Sequence, residues 1–447
     1  MEDKYKRIQE ELISLPSEMG VIPSGSTFTF TEEGMRKSLA ESKDFSLTKM
    51  ESIPLDGADD TIKYKFEAEL EYKGRVFPIQ LYVLPVQVLN LTDMPRGNQI
   101  DESEVKESQK QTLYMETSMY LGEKPLEGFH LQLKVLHTVV PQASLVLDFM
   151  PYRMLSGKWL SMAADSQIPP SPDYLYTIHA IYEGEEDSRR YWLHTHGLNR
   201  CASVEIEILD IQNGAQQMYD LIGIVAKMFI EKEIPKENEE FLVGYDGLGI
   251  NLCWERWEEV APNLGEGKLG GLSDRQEGDI HANPSGILSA VENGIKTSPE
   301  LYAKTLSENP IYYISNEETD RMSDLAKEHF HYFKETFTKQ NQPKKKSLFG
   351  IFSKKEDNQD WTFLVKLGLA TDPEEGQDSM ATPKEHLWFK VIEINEAGIT
   401  GELVNDPYWI AKLKKGDKNT YPLEVLTDWV IYSPDNNYTP DSIYQIV

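Results

Sequence analysis

The chain has 447 residues, 45 basic and 74 acidic, and its net charge of −29 repels phosphate backbones, which excludes nucleic acid as a partner for the surface at large. Two cysteines, Cys201 and Cys253, are too few and too far apart for a disulfide framework or a cysteine-based zinc site. A hydrophobic share of 40% excludes wholesale disorder, and no apolar stretch reaches the ~20 residues of a transmembrane segment.

The N-terminus, MEDKYKRIQEELISLPSEMG, has no basic region followed by an apolar one, so a cytoplasmic location is expected. FTFTEEGMRKSLAESKDF predicts a short strand and then a helix. In TIKYKFEAELEYKGRVFPIQLYVLPV, Lys73-Gly74 reads as a hairpin turn between two strands. Residues 101–121 carry a charged, Met-rich helical pattern with Asp101 placed to cap it. A further helix is expected over 127–139 and a strand over 144–149.

Residues 174–198, YLYTIHAIYEGEEDSRRYWLHTHGL, form two aromatic and β-branched runs around a polar turn, the pattern of a β-hairpin. With Glu186 and Asp187 at the turn centre, Tyr182 faces Tyr191, Glu183 faces Arg190 and His179 faces His194. Strand side chains repeat every two residues, so His196 joins His194 on one face. Three imidazoles are the set that a catalytic zinc keeps while one position stays open for water. Gly197, directly after His196, would let another backbone approach closely. A one-residue slip of register would send His179 to the opposite face, and histidines on an aromatic strand also serve as hydrogen-bonded core residues. No carboxylate lies within the His194–His196 strand to orient a ring or act as base.

SVEIEIL then places Val204, Ile206 and Ile208 on one face of a strand and Glu205 and Glu207 on the other. Asn213 is positioned to cap a helix over 214–231 whose wide apolar stripe reads as core. From Ile234 the periodicity fades into one or two strands and a long irregular loop, a kind of segment that is often functional. Within it Asp274, Asp279 and His281 are possible contributors to a metal site, or residues that cap turns. Gly265, Gly267, Gly270 and Gly271 do not make a phosphate loop, because Lys268 is followed by Leu269 rather than Ser or Thr. Trp254 and Trp257 stand one helical turn apart; buried they would be packing, exposed they would be a binding surface. Helices are expected near 299–307 and over 317–337, the second burying Leu325, Phe330 and Phe333. His329 and His331 are two apart on that helix and cannot share a metal.

The expected fold class is α+β: a mixed α/antiparallel-β body followed by a small β-rich C-terminal domain. The expected divisions are an N-terminal α+β domain over 1–233 with a subdomain split near 125, a loop-rich and helical segment over 234–338 packed on the body, a basic flexible linker over 339–360, and a β-rich domain over 361–447. The linker also reads as a basic amphipathic patch, with lysines flanking Leu348, Phe349, Ile351 and Phe352. In the tail, LWFKVIEI and ITGELV make a hairpin around NEAG, within a module of five or six strands.

The tail run EHLWFKVIEINEAGITGELVNDPYWIAKLKKGDKNTYPLEVLTDWVIY, with His386-Leu387-Trp388, Gly398 to Gly401, Asn405 with Pro407, Gly416-Asp417 and Asp428-Trp429, resembles a bacterial module known as domain of unknown function 2314. Upstream, YWLHTHGLNRCASVEIEIL and DRMSDLAKEHFHYF are similar to an uncharacterised bacterial family, domain of unknown function 4026, in which this body and this tail occur together. The first motif is also similar to a pattern of some toxin-immunity families. The resemblance implies the two-part architecture and supplies no catalytic residues.

The function expected from these observations is non-enzymatic binding of another protein, adaptor or immunity-like, the acidic surface suiting a basic partner. The alternative is a metal-dependent hydrolase using His179, His194 and His196, in which the ion activates water. No cofactor is expected beyond a divalent metal on those histidines.

Overall fold

Local turn chemistry and two-residue alternation organise three sheets. The computed structural model describes residues 5, 14–25, 28–55, 61–245, 248–275, 281, 284–309, 315–341, 361–372 and 384–447, and the fold is α+β. The chain divides into two units, residues 1–165 with 170–313, and residues 166–169 with 314–447. No described helix is long and apolar enough to cross a membrane.

In the first unit one sheet comprises β1 (Ser17–Pro23), β2 (Ser46–Ser52), β3 (Tyr64–Tyr72), β4 (Arg75–Pro85), β5 (Leu113–Met119), β6 (Ala143–Asp148) and β7 (Arg153–Ser156). Their order is β2-β3-β4-β5-β1-β6-β7, with every neighbouring pair antiparallel. Lys73 and Gly74 form the predicted turn; both have positive φ, 49° and 75°, which matches the twist of the flanking strands. Asp101 starts a helix as expected, its N–H donating to the Glu104 carboxylate at 2.9 Å, but this helix spans only Glu102–Ser108. Residues 113–119, expected to continue it, are instead β5 at the centre of the sheet. Met115, Thr117 and Met119 are buried at alternate positions, and pairing with β4 and β1 on both sides outweighs the helical preference of Leu113, Met115, Glu116 and Met119. The helices Pro125–Val139 and Gly157–Asp165 pack on each other and against this sheet.

The second sheet of this unit contains β8 (Thr177–Glu183), β9 (Arg190–His196), β10 (Glu205–Ile211), β11 (Phe241–Tyr245), β12 (Leu248–Arg256), β13 (Ser285–Glu292) and β14 (Ile295–Thr297). Its order is β11-β12-β13-β10-β9-β8, with β14 beside β13; β10 and β13 run parallel and the other pairs antiparallel. The helix Ala215–Glu231 buries Met218, Leu221, Ile222 and Val225 against β9 and β10, so its stripe is core. Gly214, at φ 66°, precedes it in place of the expected Asn213 cap.

Buried charge ties the two sheets together. Asp148 is 0% exposed and accepts from Arg200 through Nη1 at 2.7 Å and Nη2 at 3.0 Å. Arg153 donates to the same carboxylate at 3.4 Å and to Tyr176 O and Thr177 Oγ1 at 3.0 and 3.1 Å. A carboxylate this deep is tolerable only with such partners. Arg153 thereby fixes the start of β8, and with it the strand that carries His179.

The second unit holds β15 (Thr362–Ala370), β16 (Lys384–Asn395), β17 (Gly398–Leu403), β18 (Lys418–Tyr421), β19 (Leu426–Tyr432) and β20 (Asn437–Tyr438), ordered β18-β17-β16-β15-β19-β20. The NEAG turn forms as predicted, Asn395 pairing with Gly398 and accepting from the Ala397 N–H at 2.9 Å. The stripe expected as one helix over 317–337 is two helices, Asn316–Glu328 and Phe330–Asn341, interrupted at His329, whose Nδ1 lies 2.7 Å from Pro440 O. Both belong to this unit, whereas the sequence pattern grouped them with the preceding segment. Their apolar face meets β19: Trp429 Nε1 donates to Ala326 O at 2.9 Å, and Phe333 lies 5.3 Å from the Trp429 ring. Of the expected linker, residues 342–360 lie outside the described residues.

Candidate metal centre

The hairpin register follows the sequence pattern: His179 pairs with His194, Thr177 with His196, Tyr182 with Tyr191 and Glu183 with Arg190. The three imidazoles share one face, and their ligand nitrogens all lie within 4.8 Å of one another. His281 comes in from the segment before β13, and its Nε2 lies 3.2 Å from His194 Nε2. Nitrogens bound to one tetrahedral zinc at ~2.0–2.1 Å stand roughly 3.3–3.4 Å apart. The His194–His281 pair, at 3.2 Å, is close to that spacing.

His194 is 2% exposed, and its Nδ1 is a buried atom with no hydrogen-bond partner. Leaving such an atom unpaired costs about 1–3 kcal/mol. His179 Nε2 lies 3.3 Å from Pro151 O; a carbonyl only accepts, so Nε2 carries the proton and Nδ1 the lone pair. Burial holds His194 well below the usual histidine range, helped by the neighbouring imidazoles and Arg275, and burial also lowers His179. Both rings are therefore neutral near pH 7, the form that binds metal.

Two carboxylates on β10 frame the cluster. Glu207, opposite His194, accepts from Arg275 at 3.0 and 2.6 Å, from Trp192 Nε1 at 2.7 Å, and from the Ser285 hydroxyl. Glu205 accepts from Thr195 Oγ1 at 2.7 Å and from the N–H groups of Gly197 and Asn199 at 2.8 and 3.1 Å. Burial pushes Glu205 up to about 7 against the pull of those donors. Gly197 makes the close approach its position suggested: its φ is 113°, and an added Cβ would lie 2.5 Å from Leu175 O. Trp192 caps the cluster, its ring 4.7 Å from His194 and 4.9 Å from His281, with the Arg275 guanidinium 5.0 Å from the same ring. Both acids are committed to structural donors, so among the described residues neither is positioned to activate a water.

The other described candidates take structural roles. Asp274 accepts from the Gly270 N–H at 2.7 Å and caps a turn. Asp279 lies outside the described residues. Trp254 is 0% exposed within β12 and donates from Nε1 to Pro235 O at 2.8 Å, so it cannot present a binding surface; the helical spacing assumed for it and Trp257 is broken because residue 254 is still in a strand. Trp257 is half-buried beneath Arg275. The framework of Glu207, Arg275 and Trp192 was not anticipated. Its one sequence signal is the pair of acids on alternate positions of SVEIEIL.

Comparison with known protein families gives three matches. The N-terminal and C-terminal domains of a protein of unknown function, DUF4026, match residues 17–170 and 178–289, and an uncharacterised protein conserved in bacteria, DUF2314, matches residues 316–443. No curated protein and no solved structure matches.

Proposed function

Given that the chain belongs to the DUF4026 family and carries a DUF2314 module, neither of which has an assigned activity, we propose from its geometry that it is a metal-binding protein. His179, His194 and His196 hold one late first-row divalent ion, zinc first, and His281 completes a four-nitrogen set. The observation that carries this is the gathering of the three hairpin nitrogens within 4.8 Å, with His281 Nε2 at 3.2 Å from one of them. Imidazole ligands with no thiolate favour zinc, nickel or copper over magnesium and calcium, which take oxygen ligands. Four nitrogens close the coordination shell, and a closed shell is the mark of a structural or storage site. This supports binding over hydrolysis, which needs an open position and a free base. Two free, buried cysteines support a reducing compartment, the cytoplasm. Binding of another protein is the second reading, favoured by one observation: Tyr408 and Trp409 stand exposed on the C-terminal unit.

The test is elemental analysis of the purified, untagged protein beside a His194→Ala, His196→Ala variant, each also incubated with zinc and desalted. About one equivalent of metal in the wild type and none in the variant is the expected result. Equal metal in both, or none in either, refutes the proposal.

A further inference from the structure

The C-terminal unit displays two adjacent aromatic side chains in water: Tyr408 is 89% exposed and Trp409 61%. Rings this open are uncommon, because each withholds a large apolar area from burial. The backbone beneath them is held firmly. The Glu385 carboxylate, itself buried, accepts both the Tyr408 N–H at 2.7 Å and the Trp409 N–H at 2.9 Å. Asp372 reinforces the same stretch: its N–H donates to Trp409 O at 2.9 Å, and its carboxylate accepts from the Ala411 N–H at 2.6 Å. Ile410, the next residue, is buried and anchors the loop. The rings are thus projected by a fixed frame, which lowers the ordering cost of a contact.

Charge separates this loop from the rest of the chain. Residues 404–418, VNDPYWIAKLKKGDK, carry four lysines against two aspartates, in a chain of net −29. Both aspartates are engaged with the loop frame, Asp406 accepting from the Lys415 N–H and Asp417 from the Lys414 N–H, each at 2.9 Å. The side chains of Lys412, Lys414 and Lys415 are exposed, while Lys418 pairs with Glu402 at 3.2 Å.

We propose that this loop is a docking surface for an acidic peptide segment of another protein, with Tyr408 and Trp409 as the contact rings and Lys412, Lys414 and Lys415 as the charge partners. Trp and Tyr are the residues that dominate protein interfaces, and the lysines select the sign of the partner. A short acidic segment fits better than a nucleic acid or an anionic bilayer, since a long polyanion would also meet the field of the remaining acidic surface.

The test uses the full chain: wild type, a Tyr408→Ala, Trp409→Ala variant, and a Lys412→Glu, Lys414→Glu, Lys415→Glu variant, each panned against a random displayed-peptide library. All five positions are exposed, so both variants fold, as circular dichroism will verify. The wild type is expected to enrich Asp- and Glu-rich peptides, and the alanine variant to bind them at least about tenfold more weakly by fluorescence anisotropy. The glutamate variant is expected to lose the acidic preference, and added salt to weaken the wild-type complex. The proposal is overturned if no acidic peptides are enriched or if the alanine variant retains them. It is also overturned if vesicles half phosphatidylglycerol, or oligothymidine, bind more tightly than the best peptide through the same residues.

Discussion

Replacing Arg275 with methionine keeps an unbranched apolar stem over Trp192 and Trp257 while removing the cation. Glu207, 3% exposed, then loses both guanidinium bonds and, among the described residues, keeps Trp192 Nε1 and the Ser285 hydroxyl. Breaking a buried ion pair from one side costs roughly 3–5 kcal/mol. Arg275→Met is therefore expected to lower stability by roughly 3–5 kcal/mol at pH 7. Urea unfolding followed by tryptophan fluorescence measures this. The double variant Glu207→Gln, Arg275→Met should return to within about 1 kcal/mol of the wild type. A loss below about 1 kcal/mol at pH 7 would refute the reasoning.

Gly197→Ala should lower stability by about 3 kcal/mol or more, since the new Cβ meets Leu175 O at 2.5 Å and the backbone sits at φ 113°; a urea midpoint matching the wild type would contradict this. Burial lowers His130 from 6.5 to about 3, so its unfolded ring gains a proton across that window while the folded ring stays neutral. Stability should fall by about 1.4 kcal/mol per pH unit below 6.5 on this account, and His130→Asn should flatten the slope between pH 6 and 4 in urea titrations. The helices Asn316–Glu328 and Phe330–Asn341 cover Trp429, so a fragment of residues 315–447 should unfold cooperatively. A fragment of 361–447 should instead bind a hydrophobic dye and give no sharp thermal transition.

Much of the site was legible because its information is local. The order of aromatic, charged and histidine residues in 174–198 fixes a hairpin and a register, and these place His179 opposite His194 with His196 on the same face. His281 was legible as a candidate but not as a neighbour, because it reaches His194 only through the parallel pairing of β10 with β13, strands separated by a whole helix and two other strands. The same distance hid the Arg275–Glu207 bridge. Misreadings arose where composition and tertiary pairing conflict: β5 has helix-forming residues but lies between two strands that satisfy its backbone. A periodic stripe shows that a helix is amphipathic and not which sheet it covers, so the sequence pattern does not assign the helices over 316–341 to a unit. Trp254 and Trp257 were paired by a helical spacing that a strand does not have.

The central claim is that the imidazoles of the hairpin form a coordination shell. X-ray absorption at the zinc edge of the zinc-loaded protein tests it most directly. A shell of three or four nitrogens at about 2.0 Å, with the outer scattering of imidazole rings and no sulfur, is the predicted spectrum. A shell of oxygen alone, a sulfur shell, or no bound zinc would contradict it.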